Sequence, residues 1–210
     1  MSRSAAEAVA FTPLHLALTP ELSISGLWLR GEGRLTVLFL HDFGADLGAV
    51  LPVLANLGVP EAHKIAVDLP GHGMSDGTAE DAAPALDLLC DALGAEGHGP
   101  FVIVGCGHSA DLAWTLGGRK DVFGLSLVSP VLGKAGAATR EPFQRGPVLV
   151  FLATASPEVV TSWSALKMRL RARWLSVSLA VRHEDLVAFR NCDRQISSHI
   201  GGFVRDLMAM

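Results

Sequence analysis

The chain has 210 residues, 50% of them hydrophobic and 18% charged, with a formal net charge of -4. That length and apolar content suffice for one domain with a sizeable core, and the mild acidity excludes a basic nucleic-acid surface. Three cysteines without regular spacing give neither a disulfide framework nor a zinc motif and fit a reducing compartment. Residues Met1 to Ala10 carry one basic residue and no apolar core, and no run approaches the ~18 apolar residues of a membrane span. No secretion signal and no membrane contact are therefore expected, and the cytoplasm is the default location.

Short β-prone runs bounded by turn residues predict strands near 14–18, 23–30, 36–40, 63–67, 101–105, 124–128, 147–153 and 175–181. Amphipathic patterns between them predict helices over about 46–57, 81–94, 109–118, 157–172 and 194–208. This alternation gives an α/β fold, a three-layer α/β/α sandwich around a mostly parallel eight-stranded sheet. A single domain over 1–210 is expected, with residues 1–12 a flexible leading segment.

Several segments carry more than a fold pattern. Phe101-Val102-Ile103-Val104-Gly105-Cys106-Gly107-His108-Ser109-Ala110 reads as a buried strand entering a sharp turn and a helix. Before it come Thr36 to Leu40 with His41-Asp42-Phe43-Gly44, and Lys64 to Val67 with Asp68-Leu69-Pro70-Gly71-His72-Gly73. After it come Gly124 to Val128 with Ser129-Pro130, then Pro147 to Ala153, then Leu175 to Val181 with His183. In this order, over about residues 14–208, the chain resembles the α/β-hydrolase family. The resemblance implies a G-x-S-x-G nucleophile elbow at the central turn, an oxyanion loop after Leu40, an acid after Ala153 and a general-base histidine near the end.

Two registers are open at the elbow. With Gly105 and Ser109 as the small flanks, the nucleophile position is Gly107, which has no side chain. With Gly107-His108-Ser109 as the elbow, Ser109 is the nucleophile and Asp111 becomes the second small position. The first is preferred, because it ends the apolar strand at Val104 and sets Ala113 where the helix meets the sheet. Cys106 would have bulky Val104 and His108 as flanks, so it reads as a buried structural thiol, as do Cys90 and Cys192.

The acid position falls on Ser156, and Glu158, beyond Pro157, reads as dipole compensation in a first helical turn. His183 is either the base or a surface histidine beside Glu184 and Asp185 at a helix start. Asp42 replaces the glycine the resemblance implies. Pointing inward, its carboxylate opposes a developing oxyanion; pointing outward, it caps the next helix, as Asp46 can.

The resemblance therefore implies a hydrolase-fold protein with an incomplete Ser-His-Asp triad, non-catalytic or of altered chemistry, that binds a small molecule or a protein partner. The alternative is a small carboxylic-ester or thioester hydrolase using Ser109 and His183, and a third option is cofactor-free lyase or proton-transfer chemistry through His183. The pocket is expected around His41, Asp42, Phe43, His108 and Ala110. Only about fifteen residues separate Val131 from Pro147, where many members of the family insert a cap, so the pocket is expected to be capless and shallow. His41, His72, His108 and His183, with Asp42 and Asp111, could face the carboxyl ends of the strands. No pair of them has the short helical spacing of a zinc motif, so neither metal nor cofactor is expected. Lys167, Arg169, Arg171 and Arg173 with Trp163 and Trp174 read as the solvated face of a helix.

Overall fold

The computed structural model describes residues 10–133 and 146–210. Eight strands form one sheet: β1 Thr12–Thr19, β2 Leu22–Leu29, β3 Thr36–Leu40, β4 His63–Val67, β5 Phe101–Cys106, β6 Val122–Val128, β7 Val148–Ala153 and β8 Trp174–Leu179. Their spatial order is β1-β2-β4-β3-β5-β6-β7-β8. The β1–β2 and β2–β4 pairs are antiparallel, and every other pair is parallel. Strands β3, β4, β5 and β7 are buried along their whole length, and β3, β5 and β7 accordingly read as nearly continuous apolar runs rather than alternating ones.

Helices cover both faces of the sheet: α1 Leu51–Ala55, α2 Ala82–Ala95, α3 Ala110–Leu116, α4 Pro157–Arg169, α5 His183–Val187 and α6 Asp193–Met208. Gly105 of β5 lets α3 come close, since a Cβ there would stand 2.7 Å from that of Ala113. Gly124 of β6 faces the other side of the sheet and leaves room for Phe203 and Leu207 of α6. On that side Ser197 of α6 donates to the Val53 carbonyl of α1 at 3.1 Å.

The strand expectations hold to within about two residues at each end. The helix expected over 46–57 is instead a 3-10 turn, Leu47–Ala49, followed by the short α1. Pro52 in the first turn of α1 has no N–H to continue the earlier turn, and Gly58, at φ +63°, closes the segment. α4 stops at 169, short of the expected 172, and Trp163 on it is buried and packs edge-on against Trp174 at 5.2 Å, so this side of the helix is not solvated. The stretch read as too short for a cap falls largely on residues 134–145, and the leading segment largely on residues 1–9; both lie outside the described residues. No helix among the described residues is long and apolar enough to cross a membrane. Cys90, Cys106 and Cys192 are buried and free, and burial pushes the Cys90 thiol up to about 12.

Candidate functional site

In an open parallel sheet the carboxyl ends of the strands are where loops diverge and leave a crevice. Here the loops after β3, β5, β6 and β8 bring Asp42, His108, Ser129 and His183 together at that end. β5 runs to Cys106 and bends through a 3-10 turn, Gly107–Ser109, into α3. The apex is Gly107, at φ +57°, a left-handed conformation that costs any residue with a Cβ.

Ser109 lies one turn further on. Its side chain is fully buried; Oγ accepts from the Cys106 amide at 2.9 Å, and its one proton has the carbonyls of Cys106 at 2.8 Å and Leu40 at 3.0 Å within reach. It ties the turn to the end of β3 and faces away from the crevice. Ala110 is likewise buried, in the first turn of α3.

The space above Gly107 is filled by Asp42. A Cβ added to Gly107 would fall within impossible contact of the Asp42 carboxylate carbon and both its oxygens. Oδ1 accepts from the Phe43 amide at 2.9 Å, the His108 amide at 2.7 Å and the His108 ring Nδ1 at 3.1 Å. Oδ2 lies 3.3 Å from His183 Nε2. Burial alone would raise this carboxyl, but the bonds from His183 and from the amide and ring of His108 outweigh it and hold Asp42 below the usual carboxylate range.

His183 opens α5, with Glu184 and Asp185 in the same turn, yet its ring is turned inward and only 12% exposed. Its place at a helix start beside Glu184 and Asp185 is as expected, but its ring is not a surface one. Its Nδ1 lies 2.9 Å from Ser129 Oγ, and its backbone amide donates to Ser156 Oγ at 2.7 Å. The hydrogen bond to Asp42 raises its pKa above the ordinary histidine value, with burial opposing. Ser156 therefore orients the main chain of His183, whereas Ser129 orients its ring.

Ser129 is the residue that the sequence reading passed over. It follows β6, is fully buried, and sits at φ +50°, a conformation rare for a side chain of any size. A polar residue at the carboxyl end of a parallel strand was the available signal.

The remaining site candidates have structural partners. His41 is buried; Nε2 accepts from the Leu69 amide at 3.0 Å and Nδ1 lies 2.8 Å from the Asp42 carbonyl, so the ring fixes the loop that carries Asp42. His72 Nε2 accepts from the Gly44 amide at 3.1 Å and steadies the same loop.

A cavity of about 550 Å³ opens beside the carboxylate–imidazole group, walled by Phe43, His108, Leu112 and Val131, with Ala83 and Asp111 further out. Burial pushes the Asp111 carboxyl up, partly offset by the Gly133 amide, which donates to Oδ2. Among the described residues its Oδ1 has no partner. A separate depression of about 480 Å³ lies around Phe101 and Phe123, at the opposite, amino ends of β5 and β6.

Sheet order, crossover helices and a histidine delivered after the last strand define an α/β-hydrolase architecture. The chain belongs to the alpha/beta hydrolase family, whose family model matches residues 37–206. Its fold is similar to that of an esterase of Pyrococcus furiosus (13% identity, 99% of this chain and 95% of that one, TM-score 0.75). It is similar also to an alpha-beta serine hydrolase homologue of Coxiella burnetii (14% identity, 98% and 100% covered, TM-score 0.73). A third similar structure is the haloalkane dehalogenase DbeA of Bradyrhizobium elkani (16% identity, 95% and 99% covered, TM-score 0.71). No curated protein matches the chain.

Proposed function

We propose that this member of the hydrolase family does not run serine acyl transfer, and that it binds a small molecule of uncharged or cationic character in the cavity beside Asp42 and His183. One observation carries the reading: the amides of Phe43 and His108 both donate to the protein's own Asp42 Oδ1. Acyl transfer needs two such donors aimed at a developing oxyanion, and a nucleophile beside them. Here the donors hold a carboxylate, and the bend beneath it is Gly107.

An oxyanion forced to within ~3 Å of that carboxylate would meet a repulsion of roughly 5 kcal/mol at an effective dielectric near 20. That corresponds to about 10⁴ in rate. The same negative charge, with Asp111 nearby, disfavours anionic ligands, while Phe43, Leu112 and Val131 offer an apolar wall. The alternative, an ester or thioester hydrolase using Ser109 and His183, has against it the buried and bonded hydroxyl of Ser109.

Incubation with a fluorophosphonate followed by intact mass tests the reading. The expected result is an unmodified chain. A stoichiometric adduct that disappears in Ser109→Ala would establish the hydrolase alternative instead.

A further inference from the structure

Two imidazoles and one carboxylate, each from a different loop, meet beside the cavity that His108 lines. Asp42 follows β3, His108 lies in the turn after β5, and His183 follows β8. One side-chain donor atom from each lies within 4.8 Å of the other two. The observed separations are 3.1 Å between His108 Nδ1 and Asp42 Oδ1, and 3.3 Å between His183 Nε2 and Asp42 Oδ2.

We infer that Asp42, His108 and His183 form a binding site for a divalent first-row transition-metal ion such as zinc. Ligand atoms about 2.0–2.1 Å from a tetrahedral ion are about 3.3 Å apart; the two imidazole nitrogens stand close to that distance from different oxygens of Asp42, so the carboxylate would turn to offer one oxygen to an ion held between both rings. The donor set favours the same class of ion, since imidazole nitrogen suits zinc, iron, cobalt and nickel, whereas magnesium and calcium prefer all-oxygen cages.

For His183 the surroundings also match what a metal ligand requires. A histidine that binds through one ring nitrogen must hold its proton on the other and direct it to an acceptor. His183 has Ser129 Oγ 2.9 Å from Nδ1, which leaves Nε2 to face Asp42. The Asp42 carboxylate is fixed in turn by the amides of Phe43 and His108. His108, 55% exposed and lining the cavity, closes the triangle from the solvent side, so a fourth position would open toward Phe43, Leu112 and Val131. Three protein ligands and one open position is the arrangement of a site that presents an ion to a small ligand rather than a purely structural one.

This inference deepens the reading above for an uncharged, lone-pair-donating ligand, since a bound dication would repel a cationic one, and it rests on that reading in one respect, that the Asp42 carboxylate stays over Gly107. The test is equilibrium dialysis of tag-free protein against zinc chloride, with bound metal counted by mass spectrometry, alongside titration calorimetry. One zinc ion per chain is expected. Asp42→Asn and His183→Ala should weaken binding by at least about 100-fold, and Ser129→Ala by about 10–100-fold, the usual range for a group that orients a ligand.

His108→Ala removes a half-exposed side chain that the core does not need, so its expected loss of affinity does not depend on a damaged fold. His199→Gln, an exposed histidine on α6, should leave binding unchanged. Absence of zinc from the dialysed protein would overturn the inference. So would binding that survives in His108→Ala and His183→Ala, which would mark scattered surface histidines. The fluorophosphonate result is independent: a chain that neither labels nor binds zinc fails here alone, whereas labelling at Ser109 fails the earlier reading.

Discussion

Replacing Gly107 with serine restores the side chain that acyl-transfer chemistry needs, yet this substitution alone should damage the protein. The introduced Cβ would overlap the Asp42 carboxylate, and the backbone is at φ +57°. The left-handed conformation costs roughly 1–2 kcal/mol for a residue with a Cβ. Displacing the carboxylate breaks the bonds from the Phe43 amide, the His108 amide and His183, each worth roughly 1.5–3 kcal/mol to a charged acceptor, with water recovering part. A loss of about 5 kcal/mol is expected for Gly107→Ser in the native background. In an Asp42→Gly background the overlap is gone and only the backbone term remains, so the same substitution should cost about 1–2 kcal/mol. Urea denaturation of the four proteins closes the cycle, with an expected coupling of about 3 kcal/mol. The double variant should also acquire a fluorophosphonate adduct at the introduced serine, because His183 is then free to take its proton and the two amides are open. Equal costs in both backgrounds, within about 0.5 kcal/mol, would refute the claim that Asp42 and Gly107 occupy one space.

Three other outcomes follow from the packing. Ser109→Ala leaves the Cys106 amide buried without its acceptor, so a loss of about 2 kcal/mol is expected, a fall of roughly 4–8 °C in Tm by calorimetry. His63 is held neutral by burial and by the nearby His98 and Arg30, and its Nδ1 accepts from Trp28 Nε1 and the Gly31 amide. Its folded pKa lies below that of the unfolded chain, so the stability is fully present above pH ~6.5 and is lost as the pH falls toward the folded value. Urea midpoints from pH 7.5 to 5 should therefore fall more steeply for the native protein than for His63→Gln. Arg119 joins Asp87 and Asp91 of α2 to Asp121, which leads into β6. Its removal in Arg119→Met breaks these three ion pairs and should cost about 2 kcal/mol at low salt, and measurably less in 1 M sodium chloride.

Much of this architecture is legible in the chain because the sheet is buried. Runs such as Thr36 to Leu40 and Phe101 to Val104 can only be strands between helices, and their order with the turn residues identifies the family. Gly107 at the bend, Ser156 after β7 and Asp42 after β3 are each readable in the chain as positions where the family resemblance implies another residue. What spacing could not supply is the meeting of the loops. Asp42 and His108 are 66 residues apart in the chain, and Ser129 and His183 are 54 apart, so neither the shared carboxylate nor the Ser129 hydroxyl behind His183 has a local pattern. Zinc spacing along a helix is a local pattern, whereas Asp42, His108 and His183 come from three separate strand ends.

Placed side by side, two of the departures cease to be independent losses. A carboxylate at 42 can reach the Phe43 and His108 amides only if nothing projects from residue 107, and glycine is the one residue that projects nothing while accepting φ +57°. Conversely, a bare bend would leave two buried-side amides and an imidazole facing an empty recess, and Asp42 fills it with an acceptor for all three. The pair sets a fixed negative charge over Gly107, within reach of His183. On the proposed reading, this carboxylate turns an anion-stabilising crevice into a cation-binding one, and the zinc titration and the Gly107→Ser cycle test that reading from opposite sides.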